Sequence, residues 1–152
     1  MSDMLFELRM QSLLKGLNDS EIERFIPFIT NLQFPKDAPI FREGQPSRGI
    51  YMIKYGRIEI SKTTADGWRQ PLLFLDRGHF LGEIALLEKT GHGSDATALS
   101  PSELFLIPKE SFEEMEKKEP LIMLKVIKNI AIIAGLNIRR MNHKFLNLLI
   151  NY

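Results

Sequence analysis

A glycine followed by a carboxylate and a short apolar run is the part of this sequence best suited to bind a ligand. Residues 82–87 read GEIALL, which can form one helical turn after the glycine. The first amides of a helix have no partner within the helix and can hold an anion. Gly82 lets a ligand approach the backbone, and Glu83 can accept hydrogen bonds from a sugar hydroxyl. The segment therefore indicates a site for a ligand that carries both a phosphate and a sugar.

The segment around this turn resembles the phosphate-binding cassette of cyclic nucleotide-binding domains. That cassette follows the pattern F-G-E-x-A-L-(L/I), then a short loop, then R-x-A-(T/S). Residues 81–87 match the first half, and residues 94–97 (SDAT) stand in the second half, with Ser94 at the arginine position. The resemblance extends over nearly the whole chain. It implies a regulatory domain of the catabolite activator protein-like type, whose ligand is cAMP or cGMP and which needs no cofactor.

The resemblance implies that the arginine position contacts the cyclic phosphate. A serine cannot form the bidentate pair that an arginine forms, and loss of a charge-assisted bond costs roughly 1.5–3 kcal/mol. Asp95 would add a negative charge beside the phosphate. We therefore expect weak binding, with a dissociation constant of roughly tens of micromolar or higher, unless Lys89 or His92 supplies another cation.

The base of the nucleotide would meet the long helix near the end of the chain, as the resemblance implies. Asn137 and Asn142 are the amides near that position, and amides suit a purine edge. The complete set of predicted ligand-binding residues is Gly82, Glu83, Ile84, Ala85, Ser94, Asp95, Ala96, Thr97, Asn137 and Asn142.

The elements that must position these residues follow from hydrophobic periodicity. Helical spacing predicts N-terminal helices over residues 3–31, with a capping box at Asn18 and Glu21 and a second helix shortened by Pro27. Short alternating runs over residues 38–107, with a hairpin at 66–67, predict strands. The fold class is mainly β with flanking helices: a double-stranded β-helix (jelly roll) with N-terminal helices and a long C-terminal helix. All 152 residues form one domain in this interpretation.

Two helices are predicted over residues 109–150. The first carries Phe112 and Met115 inward. The second begins at Pro120, would be roughly 45 Å long at 1.5 Å per residue, and has a possible bend at Gly135. Its apolar seam needs a partner, and we expect a homodimer through residues 120–150. The seam consists of Ile127, Ile130, Ala134, Ile138, Met141, Phe145 and Leu148.

Composition excludes several other classes of protein. The net charge is +1 and there is no cysteine, so neither a strongly basic nucleic-acid binder nor a disulfide scaffold is expected. The N-terminus does not resemble a signal peptide, and the longest apolar stretch, 130–136, is too short to span a membrane. We therefore expect a cytoplasmic protein without membrane contact.

Catalysis, metal binding and nucleic-acid binding are also not expected. The three histidines, His79, His92 and His143, lack the spacing of a metal site, and no nucleophile–base arrangement is present. The basic cluster at 139–144 is interpreted as a solvated helix face. Transcription factors of this family carry a helix-turn-helix after the long helix, and no such DNA-binding domain is expected within these 152 residues.

Two functions remain open from the sequence. In the first, the domain binds a cyclic nucleotide in the β-roll and couples binding to its C-terminal helix. In the second, it is a degenerate domain that binds no cyclic nucleotide and acts as a dimerising or protein-docking module for an unidentified partner. Ser94 and Asp95 favour the second function, and the intact 82–86 segment favours the first.

Overall fold

Eight strands form two antiparallel four-stranded sheets in the computed structural model, which describes residues 2–151. One sheet has the order β1 (Thr30–Phe34), β8 (Ser102–Pro108), β3 (Gly49–Tyr55) and β6 (Phe80–Leu81). The other has the order β2 (Pro39–Phe41), β7 (Asp95–Ala98), β4 (Ile58–Thr63) and β5 (Arg69–Leu75). This is the predicted jelly roll, here called the β-roll. Its first strand, β1, lies ahead of residue 38, where the sequence placed the start of the roll.

The apolar residues of the strands form a core between the two sheets. Ile53, Ile58, Ala96 and Leu104 are fully buried there. The β4–β5 connection is the predicted hairpin, with Gly67 at φ 88°. Because the apolar side chains of each strand point into this core, the core determines which face of the sheet each strand residue occupies.

The N-terminal segment folds as α1 (Ser2–Arg9) and α2 (Asp19–Glu23), with 3₁₀ turns at Ser12–Leu14 and Ile26–Phe28. The predicted capping box is confirmed, because the side chain of each of Asn18 and Glu21 accepts a hydrogen bond from the backbone N–H of the other. The helix ends before Pro27, which lies in the second 3₁₀ turn. These elements pack on a second core, on the outer side of the β-roll, together with the C-terminal helices.

Three more helices complete the chain: α3 (Glu83–Glu88), α4 (Lys109–Lys118) and α5 (Pro120–Ile150). The first half of α5 packs against the body of the protein. Asn129 donates hydrogen bonds to the carbonyls of Leu13 (2.8 Å) and Lys15 (2.9 Å), and Lys125 pairs with Glu21 at 2.9 Å. The helix is uninterrupted at Gly135.

The predicted seam of α5 divides into two parts. Ile130 is only 5% exposed and belongs to the second core, whereas Met141 is 68% and Phe145 62% exposed. The correction to the sequence interpretation is that only the second half of the seam is free for a partner.

By length and composition α5 could also cross a membrane, and 22% of its most apolar window is buried. In this structure the polar contacts of Lys125 and Asn129 join its first half to the N-terminal segment.

Candidate functional site

A cavity of about 230 Å³ lies between the β-roll and α5. Strands β2, β4, β5 and β6 contribute apolar walls, and α3, the loop after it and α5 provide the rest of the lining. The polar side chains and loop positions that line it belong to Ser12, His79, Glu83, His92, Ser94, Asn137 and Arg140. The predicted cassette and the long helix therefore meet in one cavity.

Gly82 is the N-cap residue of α3 and has a conformation that favours glycine. Its φ is 86°, a region that L-residues with a side chain rarely adopt. A Cβ added there would lie 3.1 Å from the carbonyl oxygen of Gly49 and 3.4 Å from the ring of Tyr51. The close approach of α3 to β3 thus requires glycine, which gives the first residue of the cassette a structural role as well as the predicted one.

Glu83 lies in the first turn of α3 and lines the cavity. Burial raises the pKa of its carboxyl group above the ordinary value, and a backbone hydrogen bond opposes part of that shift. Charged carboxylates are disfavoured where water is excluded. A ligand hydroxyl that donates to Glu83 would stabilise its charged form.

His92 is the second titratable group at this end of the cavity, and sequence reasoning gave it only as an alternative cation. Its side chain is buried, and its ring stacks on Phe41 with centroids 3.6 Å apart and planes within 3°. Burial alone lowers the pKa of His92, with no contribution from a neighbouring charge or hydrogen bond. The imidazole is therefore neutral in the ligand-free protein near neutral pH.

Ser94 and Asp95 point to different surroundings. Ser94 lines the cavity. The Asp95 carboxylate instead accepts hydrogen bonds from the Glu43 backbone N–H (2.8 Å) and from the Thr63 hydroxyl (3.2 Å). Asp95 begins β7, where successive side chains alternate between faces. The expected negative charge beside the phosphate is thus directed to the β2–β3 loop instead, which corrects the sequence interpretation of Asp95.

Helix α5 presents Ile133, Leu136, Asn137 and Arg140 to the cavity. These residues recur at i, i+3, i+4 and i+7, which is one helical face. Asn142 is exposed and does not line the cavity. Arg140 was interpreted as part of a solvated basic cluster, although its spacing from Asn137 could have indicated the shared face.

The remaining predicted residues divide between the cavity and the roll. Ile84 and Ala85 line the cavity, whereas Ala96 and Thr97 are buried in β7 away from it. The Thr97 hydroxyl has no hydrogen-bond partner. Lys89 ends α3 at φ 58° and lines a different cavity beside Pro46. Within residues 2–151, no group of three or more His, Asp or Glu side chains could hold a metal ion.

Comparisons with known proteins, by sequence and by fold, both identify similarity to cyclic nucleotide-binding domains. Residues 31–119 match the family model described as the cyclic nucleotide-binding domain. The chain is similar to the cyclic AMP receptor protein of Thermus thermophilus, with 24% identity over 110 residues, covering 72% of this chain and 51% of that protein. The chain thus spans about half the length of that relative.

Two solved structures share the fold. A cyclic nucleotide-binding domain from Methylobacillus flagellatus has a TM-score of 0.86 at 15% identity, covering 95% of this chain and 84% of that one. The regulatory domain of Toxoplasma gondii PKA, crystallised with cAMP, has a TM-score of 0.67 at 21% identity, covering 74% and 43%.

Proposed function

Because this chain belongs to the cyclic nucleotide-binding domain family, we propose that it binds a cyclic nucleotide in the cavity between the β-roll and α5. The observation that carries the proposal is that the cassette and α5 line the same cavity. A nucleotide bound there would contact both, so that its presence would change the free energy of docking α5 on the roll. Binding shifts a population only as far as the ligand discriminates between helix positions.

The polar residues of the cavity suggest how the ligand would be oriented. In this proposal Glu83 accepts a hydrogen bond from the ribose hydroxyl, and the phosphate lies beside Ser94 at the same end of the cavity. The base extends toward α5, where Asn137 offers both a donor and an acceptor to a purine edge. The ligand would be cAMP or cGMP, and we propose a regulatory rather than a catalytic role in the cytoplasm.

Calorimetric titration of the purified protein with cAMP and with cGMP tests the proposal directly. We expect saturable binding of at least one of them, with a dissociation constant of roughly tens of micromolar because Ser94 supplies no fixed charge. Hydrogen exchange of residues 133–140 should slow when the ligand is bound. Saturable binding of neither nucleotide would contradict the proposal and would favour a domain that only dimerises or docks another protein.

We also propose that the protein is a homodimer through the second half of α5. Ile138, Met141, Phe145 and Leu148 are each more than half exposed, and they repeat at intervals of three and four residues, as in a coiled-coil seam. A second copy of the same helix would cover this face in a symmetric pair. Light scattering at tens of micromolar protein should then give twice the chain mass of 17.5 kDa.

A further inference from the structure

The phosphate end of the cavity lacks the arginine that the cassette pattern carries there. Four titratable side chains line the cavity within the described residues: His79, Glu83, His92 and Arg140. Arg140 is exposed on α5, whereas His92 is buried and lies two residues before Ser94. His92 is therefore the candidate cation beside the start of the cassette helix.

We propose that His92 is the side chain that binds the phosphate in this protein, and that it takes up a proton when the phosphate binds. This inference rests on the proposed function, because it concerns the same site. It assigns to a titratable imidazole the role that a permanently charged arginine would have at Ser94. Nucleotide binding then depends on pH.

The position of the His92 ring supports this assignment. A Cβ added to Gly82 would lie 3.5 Å from the Cε1 atom of His92, so the imidazole edge lies against the start of α3. Stacking on Phe41 fixes the plane of the ring. The backbone is held as well, because the carbonyl of His92 accepts a bond from the Gly44 N–H (2.8 Å) and its N–H donates to the carbonyl of Gln45 (2.9 Å). The ring is thus placed before any ligand arrives.

The other candidate cation of the loop does not have this position. Lys89 is exposed at the end of α3 and lines a separate cavity, next to Thr90 and Gly91. It does not line the cavity that contains Ser94. His92 is two residues from Ser94 and already lines the same cavity.

Burial keeps the imidazole neutral in the ligand-free protein, because it lowers the pKa of His92. A phosphodiester placed against the ring favours the protonated form and raises that pKa. Binding must then take up as much as one proton when the pH lies between the pKa of the free site and that of the complex. By the same linkage, affinity should rise as pH falls, by at most about tenfold per pH unit.

The other ionisable groups near His92 would give a different dependence of affinity on pH. Protonation of Glu83 at low pH would remove its negative charge and weaken a ribose contact, which has the opposite sign. Burial raises the pKa of Tyr51, on β3, so its phenol stays neutral throughout this range. His79, which pairs with Asp76 at 3.0 Å, is the remaining group that could mimic the effect.

The experiment follows the His92 ring by NMR in the full chain as pH is varied, without ligand, with cAMP and with adenosine, which lacks the phosphate. In parallel, calorimetry measures cAMP affinity at pH 5.5 and 7.5 in buffers of different ionisation enthalpy, which gives the number of protons taken up. We expect cAMP, but not adenosine, to raise the pKa of His92 by about one pH unit or more, with affinity about tenfold higher at pH 5.5.

Two variants separate the histidines. His92→Gln should bind cAMP with little pH dependence and no proton uptake, whereas the matched control His79→Gln should retain both. If cAMP binds without changing the pKa of His92, the inference is wrong and the proposed function stands. If no cyclic nucleotide binds at either pH, both are wrong. The NMR titration uses the unaltered protein, so the outcome does not depend on whether the variants fold.

Discussion

At the scale of single residues, the site combines a partly buried carboxylate with a serine where the family pattern has an arginine. Glu83 and Ser94 line one cavity, but they have different energetic consequences. The carboxylate is disfavoured by burial in the absence of ligand, whereas the serine weakens the bound state. Each can be tested by one substitution.

Replacing Ser94 with arginine should strengthen nucleotide binding. The new guanidinium would supply a charge-assisted bidentate contact to the phosphate, and the recovered 1.5–3 kcal/mol corresponds to about a tenfold or greater gain in affinity. Calorimetry with cAMP at pH 7.5 measures it. The matched control is Ser94→Gln, which adds length without charge. An equal gain from glutamine, or none from arginine, would mean that position 94 does not contact the phosphate.

Replacing Asp95 with alanine should leave nucleotide affinity within about twofold, because its carboxylate is bonded to Glu43 and Thr63 rather than directed into the cavity. The lost bonds should instead lower the unfolding free energy by roughly 0.5–3 kcal/mol. Thermal denaturation and calorimetry on the same sample measure both effects. A large gain in affinity would show that Asp95 repels the phosphate after all.

Replacing Glu83 with glutamine should stabilise the ligand-free protein at neutral pH. Burial raises the pKa of Glu83 in the folded state, so the folded protein holds the proton more readily than the unfolded chain. The unfolding free energy therefore decreases as pH rises through the pKa of Glu83. The glutamine variant avoids that loss at pH 7 and should have no advantage below the ordinary value of 4.5.

Thermal denaturation at pH 7 and at pH 4 measures this difference. Glu88, an exposed carboxylate at the other end of α3, provides the control, since Glu88→Gln should show no such contrast. Nucleotide binding by Glu83→Gln should weaken despite the higher stability. Equal stability of the two proteins at both pH values would contradict the assignment.

At the scale of elements, α5 has two halves with different roles. Ile130 packs in the core with Val126 and Met123, whereas Met141 and Phe145 lie in solvent. One periodic apolar pattern thus serves intramolecular packing in its first half. The second half is left for a partner helix.

Substitutions in the two halves should therefore have different effects, one on stability and the other on dimerisation. Ile130→Ala should lower the unfolding free energy by roughly 2–5 kcal/mol, because it leaves a cavity in the core. Met141→Asp should leave the β-roll folded and convert the proposed dimer into a monomer, because a charge would be buried at the seam. Denaturant unfolding and light scattering measure these two outcomes. A dimer that survives Met141→Asp would place the interface elsewhere.

At the scale of the whole molecule, the nucleotide cavity and the proposed dimer surface share α5. If dimerisation and the ligand both favour one position of this helix, the ligand changes the dimer dissociation constant, and dimerisation changes ligand affinity by the same factor. We expect saturating cAMP to shift the dissociation constant of the dimer by fivefold or more, given typical coupling free energies of about 1–3 kcal/mol. Sedimentation velocity with and without cAMP measures the shift. An unchanged constant would mean that α5 does not transmit binding.

The sequence by itself determined the local structures and the fold class. The capping box at Asn18, the turn at Gly82 and the hairpin at Gly67 each depend on neighbouring residues, so their signals are complete within a few positions. The family resemblance was confirmed by the match over residues 31–119, and the predicted jelly roll by the fold. Strand β1 was missed because it has five residues and only Leu32 and Phe34 are apolar, a run too short to separate from the helical pattern ahead of it.

Only the tertiary structure decided which side chains share the cavity. Asp95 was predicted at the phosphate because it is adjacent to Ser94 in sequence, but its carboxylate accepts hydrogen bonds from the Glu43 backbone and the Thr63 hydroxyl instead. The burial of His92 depends on Phe41 and Gly82, which are distant along the chain. The division of α5 after Ile130 depends on how far along this helix the N-terminal segment packs against it. Side-chain direction and long-range packing set these features, and neither is contained in a local pattern.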